Sequence, residues 1–109
     1  MGLTTNRLAD RRLFINTYMK KNILLLETVS EEADQLLRSG ANVFMADTPT
    51  SGPAIAEQHP IHAIVTRGKG DVSETLISKC PDLEVISRCG VGLDNVNVEA
   101  ATAAGVKVV

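Results

Sequence analysis

Tryptophan is absent from this chain, and tyrosine and phenylalanine supply only one and two of its 109 residues. A core made from such a sequence has to be aliphatic, drawn from Val, Ile, Leu and Ala. Glycine and proline, at 8 and 4 residues, are too scarce for a collagen-like or low-complexity chain. A hydrophobic fraction of 44% is ordinary for a folded protein and excludes a disordered one. No apolar run approaches the ~18 residues of a membrane span. The first 21 residues lack the apolar stretch of a signal peptide, so a cytoplasmic location is expected. Net charge is only −2, which gives no electrostatic pull toward nucleic acid or an anionic membrane, and neither is expected as a partner. The two cysteines, Cys80 and Cys89, have no metal-ligand spacing around them and are expected to be reduced, buried thiols. The length suits one domain, which buries roughly 60–70% of the surface of the unfolded chain, and cannot hold two full domains.

The small net charge is unevenly spread. Residues 1–21 carry Arg7, Arg11, Arg12, Lys20 and Lys21 against Asp10 alone, while the remainder is acidic. This divides the chain into a basic leader, residues 1–21, and a folded body, residues 22–109. Leu8, Phe14 and Ile15 have the spacing of a short amphipathic helix. The leader is nevertheless expected to be disordered or extraneous to the fold, because Met19-Lys20-Lys21 runs directly into a strand-like segment.

Within the body, short apolar runs alternate with helix-like segments. Residues 23–27 form a continuous apolar run ending in Glu27, as expected of a parallel strand buried on both faces. Ser30 suits an N-cap, with Glu31 and Glu32 in the first turn where the helix dipole favours negative charge. Gly40 stands where a left-handed C-cap belongs. Residues 42–46, 61–66, 83–87 and 106–109 read as further strands. Residues 54–58 suit a short helix. Asp71 and Glu74 fit a capping box for a helix over residues 72–79, which Pro81 ends. Asn97 can cap a helix over residues 98–104, ended by Gly105. The connections are too long for hairpins. The expected fold class is therefore α/β, a flavodoxin-like three-layer parallel sheet of five strands in the order 2-1-3-4-5. Ligands in such sheets collect beyond the carboxyl ends of the strands.

Two of those ends carry chemistry. Thr66-Arg67-Gly68-Lys69-Gly70-Asp71 follows the third strand, and Arg88-Cys89-Gly90-Val91-Gly92-Leu93-Asp94-Asn95 follows the fourth. Gly90 and Gly92 allow positive φ and close approach to a ligand. Amides in such a turn can form a nest for an anion. Arg67, beside glycines at a strand end, suits a carboxylate or phosphate; an exposed surface arginine is the alternative. Arg88 either binds an anion or braces its own loop by pairing with Asp94, and bracing is the favoured reading. Asp94 and Asn95 are expected to fix the turn. Lys69 is expected to be solvated, and Glu27 to be a solvated or capping acid. His59 and His62 lack ligand-spaced partners, so no metal is expected. Gly90-Val91-Gly92 begins like a dinucleotide fingerprint, but the third glycine place is Asn95.

The segment from Val85 through Arg88, Gly90, Val91, Gly92, Asp94, Asn95, Ala100 and Ala101 to Gly105 resembles the D-isomer-specific 2-hydroxyacid dehydrogenases. It is most similar to their D-3-phosphoglycerate dehydrogenase branch. Ile64-Val65-Thr66-Arg67 with Val72-Ser73 is similar to that family's V-R-S-x-T-x-V-T segment. The resemblance spans about residues 22–109 and implies the N-terminal substrate-binding lobe of an oxidoreductase. By the same resemblance, Arg67 and Gly68 contact the substrate's anionic group, and Gly90, Val91 and Gly92 take its carboxylate. Val91 also lies near the NAD cofactor. The implied partner is a small 2-hydroxy or 2-oxo acid, and a homodimer or higher oligomer is implied for the full-length protein. Gly68 and Gly70 replace residues that bear hydroxyls in the family, which weakens the case for a phosphorylated substrate. The family's NAD fingerprint and its catalytic Arg, Glu and His have no counterpart in residues 22–109. Hence no catalytic residue is expected in this chain, NAD is expected to be bound mainly by a domain absent from it, and the chain alone is expected to be inactive. The alternatives are a receiver-like signalling module and a non-catalytic piece that associates with another chain. The first lacks paired acids after strand one, a phosphorylatable Asp after strand three and a lysine after strand five.

Overall fold

The structure is a computed structural model, and it describes residues 20–90 and 92–109. The expected leader therefore lies almost wholly outside the described residues, as does Val91. Five strands form one parallel sheet: β1 (Asn22–Leu25), β2 (Asn42–Met45), β3 (Ala63–Thr66), β4 (Val85–Arg88) and β5 (Lys107–Val108). The helices between them are α1 (Glu31–Gly40), α2 (Gly52–Ala56), α3 (Glu74–Ser78) and α4 (Val98–Ala103). The strand order is β2-β1-β3-β4-β5, as the alternation predicts.

One row of side chains explains the core. The register aligns Phe44, Leu24, Ile64, Ile86 and Val108 across all five strands, and register partners on neighbouring strands point to the same face of the sheet. Leu24, Ile64 and Ile86 are fully buried there. Leu76 and Ile77 of α3, Ala101 of α4 and Ala56 of α2 pack over this row, while α1 contributes no residue to it. The chain steps one way from β1 to β2 and the other way thereafter, so right-handed crossovers place α1 on the opposite face. Each aliphatic side chain so buried contributes about 1.5–3 kcal/mol relative to exposure. The exposed large hydrophobics among the described residues, Leu36, Met45, Leu93, Val98 and Val109, are spread over both sheet edges and three other elements rather than gathered on one sheet face.

Several boundaries differ from the sequence expectation. Gly40 does not take a left-handed cap: it ends α1 in helical geometry, and Ala41 caps in extended conformation, its amide reaching the Leu37 carbonyl. Val72 does not open a helix. It forms a parallel bridge with Val96, and its amide and carbonyl bond the Asn95 carbonyl and the Asn97 amide. The cap of α3 is Ser73, whose hydroxyl accepts from the Leu76 amide, so the Asp71–Glu74 box is not formed. A β-branched residue with partners on both sides is better placed in a ladder than in a first helical turn. Ser30 and Asn97 cap α1 and α4 as expected, and Gly105 ends α4 at φ +75°.

Candidate functional site

The site grows from the carboxyl end of the buried row. One step beyond Ile64 and Ile86 on that face come Thr66 and Arg88, which are paired across β3 and β4. Thr66 is fully buried, and Arg88 is half-buried. The Thr66 backbone carbonyl accepts from the Cys89 amide at 2.9 Å, which holds the two loop entrances side by side.

The loop after β3 is gripped from two sides. Glu27, just beyond β1, turns its Oε2 into the loop and accepts from the amides of Arg67 (2.7 Å), Lys69 (2.9 Å) and Gly70 (2.8 Å) and from the Thr66 hydroxyl (3.0 Å). Burial raises the pKa of this carboxyl, but the amides of Gly70, Lys69 and Arg67 and the Thr66 hydroxyl outweigh it, so it titrates below the ordinary range. Glu27 is thus neither a solvated acid nor a helix cap. It is the occupant of an amide nest. Asn95 grips the other side: its Nδ2 donates to the carbonyls of Arg67 (2.8 Å) and Gly70 (2.7 Å) and more weakly to Thr66 Oγ1 (3.3 Å).

Gly70 is required by this packing. A Cβ there would collide with Thr66 Oγ1 and stand 2.7 Å from Leu26 Cβ. The residue that seems to have lost a hydroxyl is therefore one where no side chain fits. Gly90 and Gly92 hold φ of +125° and +82°, the left-handed values expected of them.

Arg88 does not pair with Asp94; no such ion pair occurs among the described residues. Its Nε donates to Asn95 Oδ1 at 3.3 Å. Its guanidinium lies against both glycine loops: a Cβ on Gly90 would sit 2.7 Å from Nη1, and one on Gly68 3.4 Å from Nη2. Gly68, Arg88 and Gly90 are thereby brought together. Arg67 stands apart from Arg88 and Gly90. It is exposed and lines a cleft of about 470 Å³ with Gly68, Lys69, Glu27 and the Met45–Pro49 segment, and this lining includes neither Gly90 nor Gly92. The expected joining of Arg67 with the Gly90 turn is thus carried by Arg88, because Arg88 continues the inward row while Arg67 is the first residue past β3.

The remaining candidates have structural roles or open surfaces. His62 Nδ1 accepts from the Asn22 amide at 2.9 Å, and His59 stacks on Phe44 with ring centroids 4.2 Å apart. Cys80 is buried, and burial pushes its thiol up to about 11. Cys89 is exposed, contrary to expectation, because it lies just past the end of β4. Glu27, expected to be a solvated or capping acid, is instead part of the site. The signal for it was topological: order 2-1-3 sets the end of β1 directly beside the amide-rich loop after β3.

Residues 23–109 match the D-isomer specific 2-hydroxyacid dehydrogenase family, catalytic domain. A D-3-phosphoglycerate dehydrogenase from Archaeoglobus fulgidus is 35% identical over 88 residues, covering 80% of this chain and 17% of that protein. Among solved structures, a 2-hydroxyacid dehydrogenase from Ketogulonicigenium vulgare is similar at TM-score 0.68 and 33% identity, covering 82% of this chain and 29% of the other. An NAD+-bound 3-phosphoglycerate dehydrogenase from Entamoeba histolytica shares the fold at TM-score 0.66 and 19% identity, over 82% of this chain and 32% of its own. The chain therefore spans about a sixth of the Archaeoglobus relative and under a third of the Ketogulonicigenium chain.

Proposed function

The chain belongs to the D-isomer specific 2-hydroxyacid dehydrogenases, and we propose that residues 22–109 are the acid-binding domain of an NAD-dependent oxidoreductase acting on the CH–OH group of a D-2-hydroxy acid of the 3-phosphoglycerate kind. The observation that carries this reading is the Arg88 guanidinium set between the Gly68 and Gly90 loops, with Arg67 and Lys69 on the adjoining cleft. Two planar cations at one rim of a parallel sheet suit a ligand with two anionic groups, and guanidinium binds carboxylate or phosphate by paired hydrogen bonds. Gly90 and Gly92, with Val91 between them, are assigned to the substrate carboxylate. Gly68 and Arg67 are assigned to the distal anionic group.

The residues present do not make a dinucleotide site. Asn95 stands where a third glycine would be needed, and its amide is committed to three oxygens of the neighbouring loop. The residues of this domain bind and orient the acid. Support for NAD itself comes from the cofactor held by the Entamoeba protein of this fold.

The test is a titration of the chain with D-3-phosphoglycerate and with D-glycerate, followed by backbone amide shifts. Weak, salt-sensitive binding is expected, with shifts at the Gly90 turn and at the Gly68 amide, stronger for the phosphorylated acid. Arg67→Ala or Arg88→Ala should each weaken it by about tenfold to a hundredfold, the loss of a charged hydrogen bond worth about 1.5–3 kcal/mol. Equal binding of both acids by the two variants and the parent chain would overturn the assignment.

A further inference from the structure

The amide nest beside Arg67 looks like a ready site for the ligand's anion, yet the chain fills it with its own carboxylate. Four donors converge on one oxygen, Glu27 Oε2, at 2.7–3.0 Å. An anion entering the cleft lined by Arg67, Gly68 and Lys69 meets the amides of Arg67 and Lys69 already bonded to Glu27. Glu27 does not reach across to neutralise Arg67 or Lys69: no ion pair between them occurs among the described residues. The nest thus cancels the charge of Glu27 locally and leaves both cationic side chains uncommitted.

We propose that Glu27 is the positioning residue of the acid-binding loop: as a built-in anion it occupies the amides of Arg67, Lys69 and Gly70 and so fixes residues 67–70, leaving the side chains of Arg67 and Lys69 and the Gly68 amide to meet the substrate. This rests on the acid-binding reading given above. Glu27 touches no substrate atom in this assignment. It acts through Arg67, whose amide it holds at 2.7 Å. Asn95 completes the grip by holding the carbonyls of Arg67 and Gly70. The loop is then fixed by one acceptor and one donor from two different strand ends. The consequence is a relaxed specificity at the distal group, since guanidinium and ammonium bind carboxylate and phosphate alike.

The charged groups facing Glu27 across the cleft are Arg67, Lys69 and Asp47. Backbone amide shifts separate their titrations, since only Glu27 bonds the amides in question. In the unsubstituted chain, the amide protons of Arg67, Lys69 and Gly70 are expected to move together on acidification, with one midpoint below the ordinary glutamate value of 4.5. At neutral pH, inorganic phosphate should perturb the Gly68 amide and the Gly90 turn and leave those three amides in place. In E27Q, which keeps the shape but removes the charge, the acid transition should vanish and phosphate affinity should fall about fivefold or more. Phosphate shifting the three amides in the unsubstituted chain would overturn the proposal, because the nest would then be the ligand's own site. So would an acid titration that bypasses those amides, a result available even if E27Q fails to fold. Phosphate and D-glycerate both failing to bind, with the acid transition intact, would instead overturn the acid-binding reading beneath it.

Discussion

Glu27 and Asn95 hold one loop from opposite sides. Glu27 Oε2 accepts the amides of Arg67 and Gly70, and Asn95 Nδ2 donates to the carbonyls of the same two residues. The residues lie 68 positions apart in sequence, at the ends of β1 and of the β4 turn, and meet only because β3 lies between those strands.

Asn95→Asp, though isosteric, replaces an amide donor with carboxylate oxygens facing two carbonyls. Asn95→Ala removes the donor and leaves the carbonyls without it. Each should cost about 1–3 kcal/mol, with Asp at least as damaging as Ala, measured by urea unfolding. An Asp variant as stable as the parent would show that the contact to Arg88 matters more than those to the loop.

Gly70 and Gly40 should respond to alanine in opposite directions. At Gly70 the new methyl meets Thr66 Oγ1 and Leu26, so overpacking should cost about 1–3 kcal/mol and lower Tm by about 4–8 °C per kcal/mol. At Gly40 nothing lies within 4 Å and φ is not positive, so Gly40→Ala should gain about 0.5–1 kcal/mol. Thermal unfolding of the two variants side by side gives the comparison.

Acid should drain the contribution of Glu27. Its pKa is lowered in the folded chain, so the unfolded chain takes up the proton first as pH falls. The stabilisation is full above the ordinary value of 4.5 and is lost as pH falls through the lower folded value. The stability difference between the parent and Glu27→Gln should therefore be large at pH 6–7, about neutral conditions, and shrink steadily below about pH 4. A difference independent of pH would mean that the carboxylate charge does not matter to the loop.

The two thiols should separate cleanly. Cys89 is exposed and should react with a disulfide reagent at about pH 8. Cys80 is buried, its pKa raised from 9.0 to about 11, and should react only on unfolding. The raised value also means that the stability linked to the neutral Cys80 thiol is intact below 9.0 and is lost as pH rises toward about 11. Counting modified thiols in native and denatured chain decides the point.

The sequence by itself determined the alternation of strands and helices, the parallel sheet order and the two glycine-bearing strand ends. These follow from short-range signals: apolar runs of strand length, Ser30 and Asn97 as caps, and glycines at positions of positive φ. The family likeness rested on the same local segments, since motifs are contiguous. Tertiary structure decided the partners. It matched Arg88 with Asn95 and both glycine loops instead of with Asp94, set Arg67 on a separate cleft, made Val72 a ladder residue and drew Glu27 into the nest. Those outcomes depend on which strand ends become neighbours and on which donors already have acceptors. Both are properties of the assembled sheet, and a linear pattern carries no distance between residues 27, 67 and 95.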